Sequence, residues 1–291
     1  MSFSPNDIEG PSIIVIIGDQ GTGKSTLATD LLLKLNNSIF INLACAVTNS
    51  DDPTYLSNIL TDDLVLRDRS PVDVANAILK SQKSTQSVNK HNVPRIAILF
   101  DDVFTTSAEF KNLTTFLNKS RDANILSIFT SADPSIFPTF MKKKVNYTFL
   151  SRSTDVKTRK DIWAKFGGIY ESFDAFDEAL MDLAAHDFLT INNTSRSKAL
   201  PDIVSIYKAN IYASNPITAS VANAHGKWHL LDEGVNDKDK IVNQVHVDMD
   251  EDGNRCDACI NDHIDFQVTN GDVKIAMLTA LDMAGLTDRK K

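Results

Sequence analysis

The sequence predicts an α/β fold: a central, mostly parallel sheet flanked by helices, with a small extension after about residue 212. Three observations predict it. Ile13 to Ile17 is an unbroken aliphatic run, four of its five residues Ile, that enters a glycine-rich turn and then an apolar-periodic helix. An uninterrupted apolar run of that length marks a strand covered on both faces, as parallel strands are. A second apolar run, Arg95 to Phe100, ends on the acidic pair Asp101-Asp102. Between and after these, strand-like and helix-like segments alternate, the pattern of a doubly wound sheet.

The elements follow in order. Residues 1–11 read as a polar lead-in. Leu27 to Leu35 carries helical spacing after the first turn, and Ser38 to Leu43 reads as the second strand. Residues 46–62 are polar and mixed. A short strand is expected at Leu64 to Leu66, then a helix over Pro71 to Leu79, with Ser70 as N-cap and Pro71 in the first turn. The run Ser-Gln-Lys-Ser-Thr-Gln-Ser within residues 81–93 predicts a loop before the strand ending at Asp101. A helix over Ser107 to Lys119, strands over Asn124 to Phe129 and Val145 to Leu150, and helices over Asp155 to Phe166 and Phe173 to Phe188 complete the rhythm. It fades near Ile191, so residues 1–212 are expected to form the core domain and 213–291 an extension.

Bulk properties narrow the class. With 42% apolar and 23% charged residues, the composition is that of an ordinary globular protein. No apolar stretch approaches a bilayer span, and Met-Ser-Phe-Ser-Pro-Asn-Asp lacks the basic and apolar regions of a signal peptide, so neither secretion nor a membrane partner is expected. Three cysteines in 291 residues make no disulfide framework and fit a reducing compartment. A net charge of −8 argues against a protein that coats nucleic acid with a uniformly basic surface, while leaving room for a local basic face or pore.

The turn after the first strand carries the chemistry. Gly18-Asp19-Gln20-Gly21-Thr22-Gly23-Lys24-Ser25-Thr26 satisfies the whole G-x-x-x-x-G-K-[ST] pattern, strand before and helix after. Its backbone N–H groups can form a nest around phosphate oxygens at a positive helix end. Lys24 is expected to reach the β- and γ-phosphates and Ser25 to join a Mg²⁺ shell. A glycine-rich turn with an exposed lysine is the plainer alternative. A strand ending in carboxylates sets acid at the carboxyl edge of the sheet, where open α/β sheets bind ligands. Asp101 is accordingly expected to support Mg²⁺, and Asp102 to orient or deprotonate the attacking water.

Beyond these motifs, Ile98-Leu-Phe-Asp-Asp-Val-Phe, then Leu113 to Arg121, then Asn124 to Phe149 resemble the poxvirus-type DNA-packaging ATPases of the FtsK-HerA group. In that family the acidic pair is followed by a helix ending Gly-Arg-His and by a strand ending in a polar sensor, usually Gln. Here Ser120-Arg121-Asp122 matches at the arginine, and Thr130 stands in the sensor position. The resemblance covers roughly residues 10–152. It implies a RecA-like P-loop NTPase core, an ATP-hydrolysing motor with ATP and Mg²⁺ as cofactors, and double-stranded DNA as the cargo. It further implies a homo-oligomeric ring, a viral capsid or portal vertex partner, and a place in the host cytoplasm or virion. Arg121 becomes the candidate catalytic arginine, acting on a neighbour's site or its own, and Thr130 the candidate sensor. For Arg121 the alternative is a surface cation favoured at a helix C-terminus.

In the extension, Cys256-x-x-Cys259 with His246 and His263 could supply four ligands to Zn²⁺. Asp248-x-Asp250-x-Asp252-Gly253 begins like a calcium loop but has Cys259 at the twelfth position. An acidic solvated loop with two ordinary thiols is the third alternative. Val273 to Leu286 is expected to be an amphipathic helix.

Rival functions share the P-loop. A small-molecule or nucleotide kinase would need a basic lid, for which Lys142-Lys143-Lys144 or Lys157 to Lys160 are the available runs. A switch GTPase is disfavoured by the absence of Asn-Lys-x-Asp. A nucleotide-binding virion structural protein would bind without DNA-stimulated turnover.

Overall fold

The computed structural model describes residues 3–37, 41–50, 54–57, 59–88, 93–211 and 270–286. The strands are β1 (Ile13–Ile17), β2 (Leu43–Thr48), β3 (Val65–Arg67), β4 (Ile96–Asp101), β5 (Ile125–Ser131), β6 (Tyr147–Leu150), β7 (Asp187–Asn192) and β8 (Val204–Lys208). The helices are α1 (Lys24–Asn37), α2 (Thr54–Ser57), α3 (Pro71–Val88), α4 (Ser107–Lys111), α5 (Thr114–Lys119), α6 (Val156–Lys165), α7 (Phe173–Met181), α8 (Leu200–Ile203) and α9 (Asn270–Met283). The strands form one sheet in the order β3-β2-β4-β5-β1-β6-β7-β8. All pairings from β3 to β6 are parallel; β7 and β8 add an antiparallel edge.

The central strands are buried along their whole length, as their apolar runs require. On β4 and β5, Phe100 and Phe129 stack with ring centroids 4.8 Å apart, and Phe104, Phe110 and Phe137 extend the aromatic layer beneath α4. Among the described residues no helix is long and apolar enough to cross a membrane.

Four local expectations are corrected. The second strand starts where Ser38 to Leu43 was expected to end: Leu43 to Thr48 pairs residue for residue with Ile96 to Asp101. The small residues Ala44, Cys45 and Ala46 are buried there, a role that local propensity does not signal. Helix α3 continues through the expected loop to Val88 because its polar residues find partners. Gln82 Nε2 donates to the carbonyls of Pro94 and Ala123, and the hydroxyls of Ser84, Thr85 and Ser87 fold back onto their own helix. The helix expected over residues 107–119 is two, α4 and α5, the first opened by a Thr106–Glu109 capping box. Finally, the helix expected to reach Phe188 stops at Met181; His186 turns the chain with φ +64°, and Phe188 enters β7.

The expected boundary at residue 212 lies just past the described end of the sheet. Helix α9 packs against α3, burying Met277 and Leu281, while Lys274 Nζ lies 3.0 Å from Asp63 Oδ2. His246, Cys256, Cys259 and His263 lie outside the described residues.

Candidate functional site

The sheet order sets the site. Strand β5 lies between β1, which leads into the glycine-rich loop, and β4, which ends in the carboxylates. The C-terminal ends of all three therefore meet at one edge, with Thr130 beside the acidic pair.

The loop is folded as its sequence dictates. Gly21 and Gly23 have φ of +78° and +95°, conformations that L side chains rarely adopt. Gly18 passes so close to Ser151 that any Cβ there would overlap its hydroxyl. Gly18 N–H is anchored to the carbonyl of Ser131, and Thr22 N–H to that of Asp19. Lys24 opens α1; its Nζ is 3.3 Å from the Asp19 carbonyl oxygen and 3.4 Å from Asp102 Oδ2, and the residue is only 6% exposed. Gln20, Ser25 and Thr26 lie on the exposed or half-buried rim of the same turn.

A second layer holds the loop. Asp19 accepts from Ser153 Oγ at 3.0 Å and from Thr154 N–H at 3.2 Å. Arg159 of α6 pins those two residues in turn, donating to both carbonyls at 2.9 Å while pairing with Asp177 of α7. The contacts of Asp19 join positions more than 130 residues apart, beyond the reach of any local sequence pattern. His186 also went unread, although its imidazole Nδ1 would lie 2.7 Å from a Cβ on Gly23, so it packs directly on the loop.

The acidic pair divides into two environments. Asp101 is buried, accepting at Oδ1 from Thr130 Oγ1 (2.7 Å) and at Oδ2 from the Tyr55 hydroxyl. Burial pushes its carboxyl up from the ordinary range, and those two hydroxyls oppose the shift. Asp102 takes φ +50°, turning its half-exposed carboxylate toward Lys24, while Oδ1 accepts from Ala132 N–H at 3.1 Å. Asp101 ends β4 with Thr48 as its partner on β2, and Ser25 lies in the first turn of α1, so hydroxyl and carboxylate oxygens, the hard donors that Mg²⁺ selects, stand at the same sheet edge. That chemistry fits Mg²⁺ held by Ser25 and Asp101.

Two expectations change here. Thr130 is 1% exposed; its hydroxyl donates to Asp101 and accepts from Asp102 N–H at 2.9 Å, so the donor expected to face water or phosphate is engaged with the Asp101 carboxylate. It positions the pair. Arg121 is not brought to this edge at all: it lies exposed after α5, ahead of the start of β5, whereas Thr130 stands near the end of that strand. Seven residues of strand span about 20 Å. Action of Arg121 on its own chain's loop is thereby excluded. Arg121 instead lines a cavity of about 500 Å³ with Asn118, Asp122, Lys143 and Lys144. Lys143 and Lys144, at that far edge, cannot form a basic lid over this loop.

A model of the poxvirus A32 protein family matches residues 4–158, which include the glycine-rich loop, both carboxylates and Thr130. The chain belongs to the poxvirus A32 protein family. Two curated relatives come from invertebrate iridescent viruses. Protein 075L of Invertebrate iridescent virus 6 is 27% identical over 191 residues, 64% of this chain and 72% of the relative. Protein 088R of Invertebrate iridescent virus 3 is 24% identical over 212 residues, 71% of this chain and 78% of the relative. Among solved structures, B204, the DNA-packaging ATPase from Sulfolobus Turreted Icosahedral Virus, superposes with a TM-score of 0.50 at 14% identity, covering 70% of this chain and all of B204. EssC (ATPases 2 and 3) from Geobacillus thermodenitrificans gives 0.53 at 12% identity, covering 75% of this chain and 45% of EssC. At such identities these two likenesses are of fold, and they bear out the RecA-like P-loop core.

Proposed function

We propose that this A32-family chain is the ATP-hydrolysing motor that drives viral double-stranded DNA into the capsid. The observation that carries the reading is the meeting of Lys24, Ser25, Asp101 and Asp102 at one sheet edge, in a chain of this family. The DNA-packaging role of B204, which shares the fold, supports the cargo. A capsid or portal vertex partner, and a place of work in the host cytoplasm or virion, follow from the same reading.

Hydrolysis would run by in-line attack of water on the γ-phosphate. A new P–O bond forms to the water oxygen, the bond to the β-bridging oxygen breaks, and ADP leaves. Catalysis of this step comes mainly from positioning and charge neutralisation. Loop N–H groups from residues 19–25, other than that of Thr22, and Lys24 bind the phosphates. Mg²⁺ held by Ser25 and Asp101 would neutralise charge on the β- and γ-oxygens. Asp102, exposed to the phosphate side and near Lys24, orients the water and accepts its proton; Thr130 holds the two carboxylates in register.

The far-edge placement of Arg121 supports action in trans, on the site of a neighbouring copy in a homo-oligomeric ring. The experiment is ATP turnover with and without double-stranded DNA, together with native mass. DNA-stimulated turnover by an oligomer is expected. Turnover indifferent to DNA in a monomer would overturn the motor reading.

A further inference from the structure

The sheet order that brings the loop and the carboxylates to one edge gathers a second set of groups at the other. Strand β1 lies between β5 and β6, so the turn before β5, with Arg121, and the turn before β6, with Lys143 and Lys144, flank the entry to β1. Two strand spacings separate the turns, about 10 Å. Between them lies the cavity of about 500 Å³, which Gly10 and Pro11 also line. Both turns are fixed. Gln86 Nε2 of α3 donates to the Asp122 carbonyl at 2.6 Å, and Gln82 Nε2 to that of Ala123 at 3.1 Å. Asn146 Oδ1 accepts from Ile13 N–H at 2.9 Å, and Asn146 N–H donates to the Ile13 carbonyl at 2.8 Å.

Arg121, Lys143 and Lys144 set three cations against one carboxylate, Asp122, in a chain whose net charge is −8. Among the described residues none of the three cations forms an ion pair. Like charges held together repel, and a polyanion entering the cavity relieves that repulsion. We infer that this cavity is a phosphate site filled from outside the chain. Its occupant is the triphosphate tail of the nucleotide bound to a neighbouring copy, on which Lys143 and Lys144 join Arg121. Lysine meets phosphate as a point charge and arginine as a planar fork, so the set neutralises the tail from two sides. A DNA duplex instead presents one charge per about 1.7 Å along its length and is met by an extended basic stripe; a compact pocket suits a compact polyanion. The inference rests on the proposed action of Arg121 in trans and widens it from one residue to a site.

A photoreactive ATP analogue with its reactive group on the γ-phosphate reads the contact directly. Wild-type subunits are mixed with tagged Lys24→Ala subunits, whose own loop has lost its ammonium, and the labelled peptides are mapped. Label on the tagged copy, in the peptides carrying Arg121 or Lys143 and Lys144, is expected; label confined to the untagged copy would overturn the inference. In steady state Lys143→Gln/Lys144→Gln should lower kcat of the oligomer roughly 10- to 100-fold, the worth of one hydrogen bond to a charged group. The ATP affinity of dilute subunits and Tm should hold at wild-type values. Lys143→Arg/Lys144→Arg, which keeps both charges, should retain most of the turnover, and a fall in Tm in both variants would mark the lysines as structural and overturn the site. Wild-type kcat in the Gln variant, with Arg121→Ala still arresting turnover, would overturn the lysine site and leave the trans arginine standing. Were Arg121→Ala indifferent too, the action in trans would fall and this site with it. A Gln variant that lost only affinity for double-stranded DNA, its kcat at saturating DNA unchanged, would make the cavity a DNA contact and overturn the nucleotide assignment.

Discussion

The two edges of the sheet are built on different principles. At the carboxyl edge, polar groups hold one another around buried Lys24, Asp101 and Thr130: Lys24 with Asp19 and Asp102, Asp101 with Thr130 and Tyr55, Asp19 with Ser153 and Thr154. At the opposite edge, Arg121 and Lys143 are exposed beside an open cavity. A buried, mutually satisfied cluster is rigid and suits recognition of a fixed ligand. An exposed arginine about a strand length away gains a catalytic role only when another molecule is brought to it. The difference teaches that Arg121 and the phosphate loop of one chain stand at opposite ends of the sheet, so the proposed role for Arg121 requires a second copy.

The largest effect should come from Lys24→Ala, which removes the buried ammonium from the loop. Hydrolysis should vanish and nucleotide affinity fall; near wild-type turnover would undo the pocket's side of the comparison. Asp102→Asn should arrest turnover while leaving ATP bound. Asp101→Asn should in addition shift the Mg²⁺ midpoint, and equal shifts in both variants would erase the division between the carboxylates.

Arg121→Ala tests the other edge. Turnover should drop by roughly 10³-fold or more, the scale of an arginine finger, with little change in the affinity of the isolated subunit for ATP. Mixing Arg121→Ala with Asp102→Asn subunits should restore part of the activity, since some interfaces then pair an intact pocket with an intact finger. If Arg121 served only the C-terminus of α5, its loss would cost about 0.3–1 kcal/mol of stability and leave turnover alone.

A smaller effect is expected at Thr130. Thr130→Val keeps the shape but removes the donor to Asp101 and the acceptor for Asp102 N–H, so stability should fall by about 1–3 kcal/mol on denaturant titration. Thr130→Ser should recover most of it, and a Val variant as stable as wild type would remove Thr130 from the comparison. The smallest effect concerns Asp155, the N-cap of α6, whose carboxyl is held below the ordinary range by the Thr158 hydroxyl and N–H. A depressed folded-state pKa stabilises above the unfolded value and is lost as pH falls through the folded one. Asp155→Ala should therefore lower Tm modestly at pH 7, with the gap closing well below about pH 3.9. A gap that widened in acid would contradict that linkage.

By itself the sequence determined the phosphate loop, the acid-tipped strand and the parallel core, because each is local. Glycines at positive φ, an apolar run covered on both faces and a strand ending in carboxylates are properties of a few consecutive residues. The resemblance added Arg121 and the family, but could not say on which chain's site the arginine acts. Only the tertiary structure decided what depends on distant pairing. It set Thr130 against the Asp101 carboxylate and the Asp102 N–H, Tyr55 against Asp101, and Arg159 behind Asp19; it also carried α3 through a polar run that reads locally as a loop. Hydrogen bonds from a helix to carbonyls of another segment, and burial of small residues such as Ala44 to Ala46, leave no periodic trace in the chain. They come from register and strand order, which fix which ends of β1, β4 and β5 meet and which arginine is left at the far side.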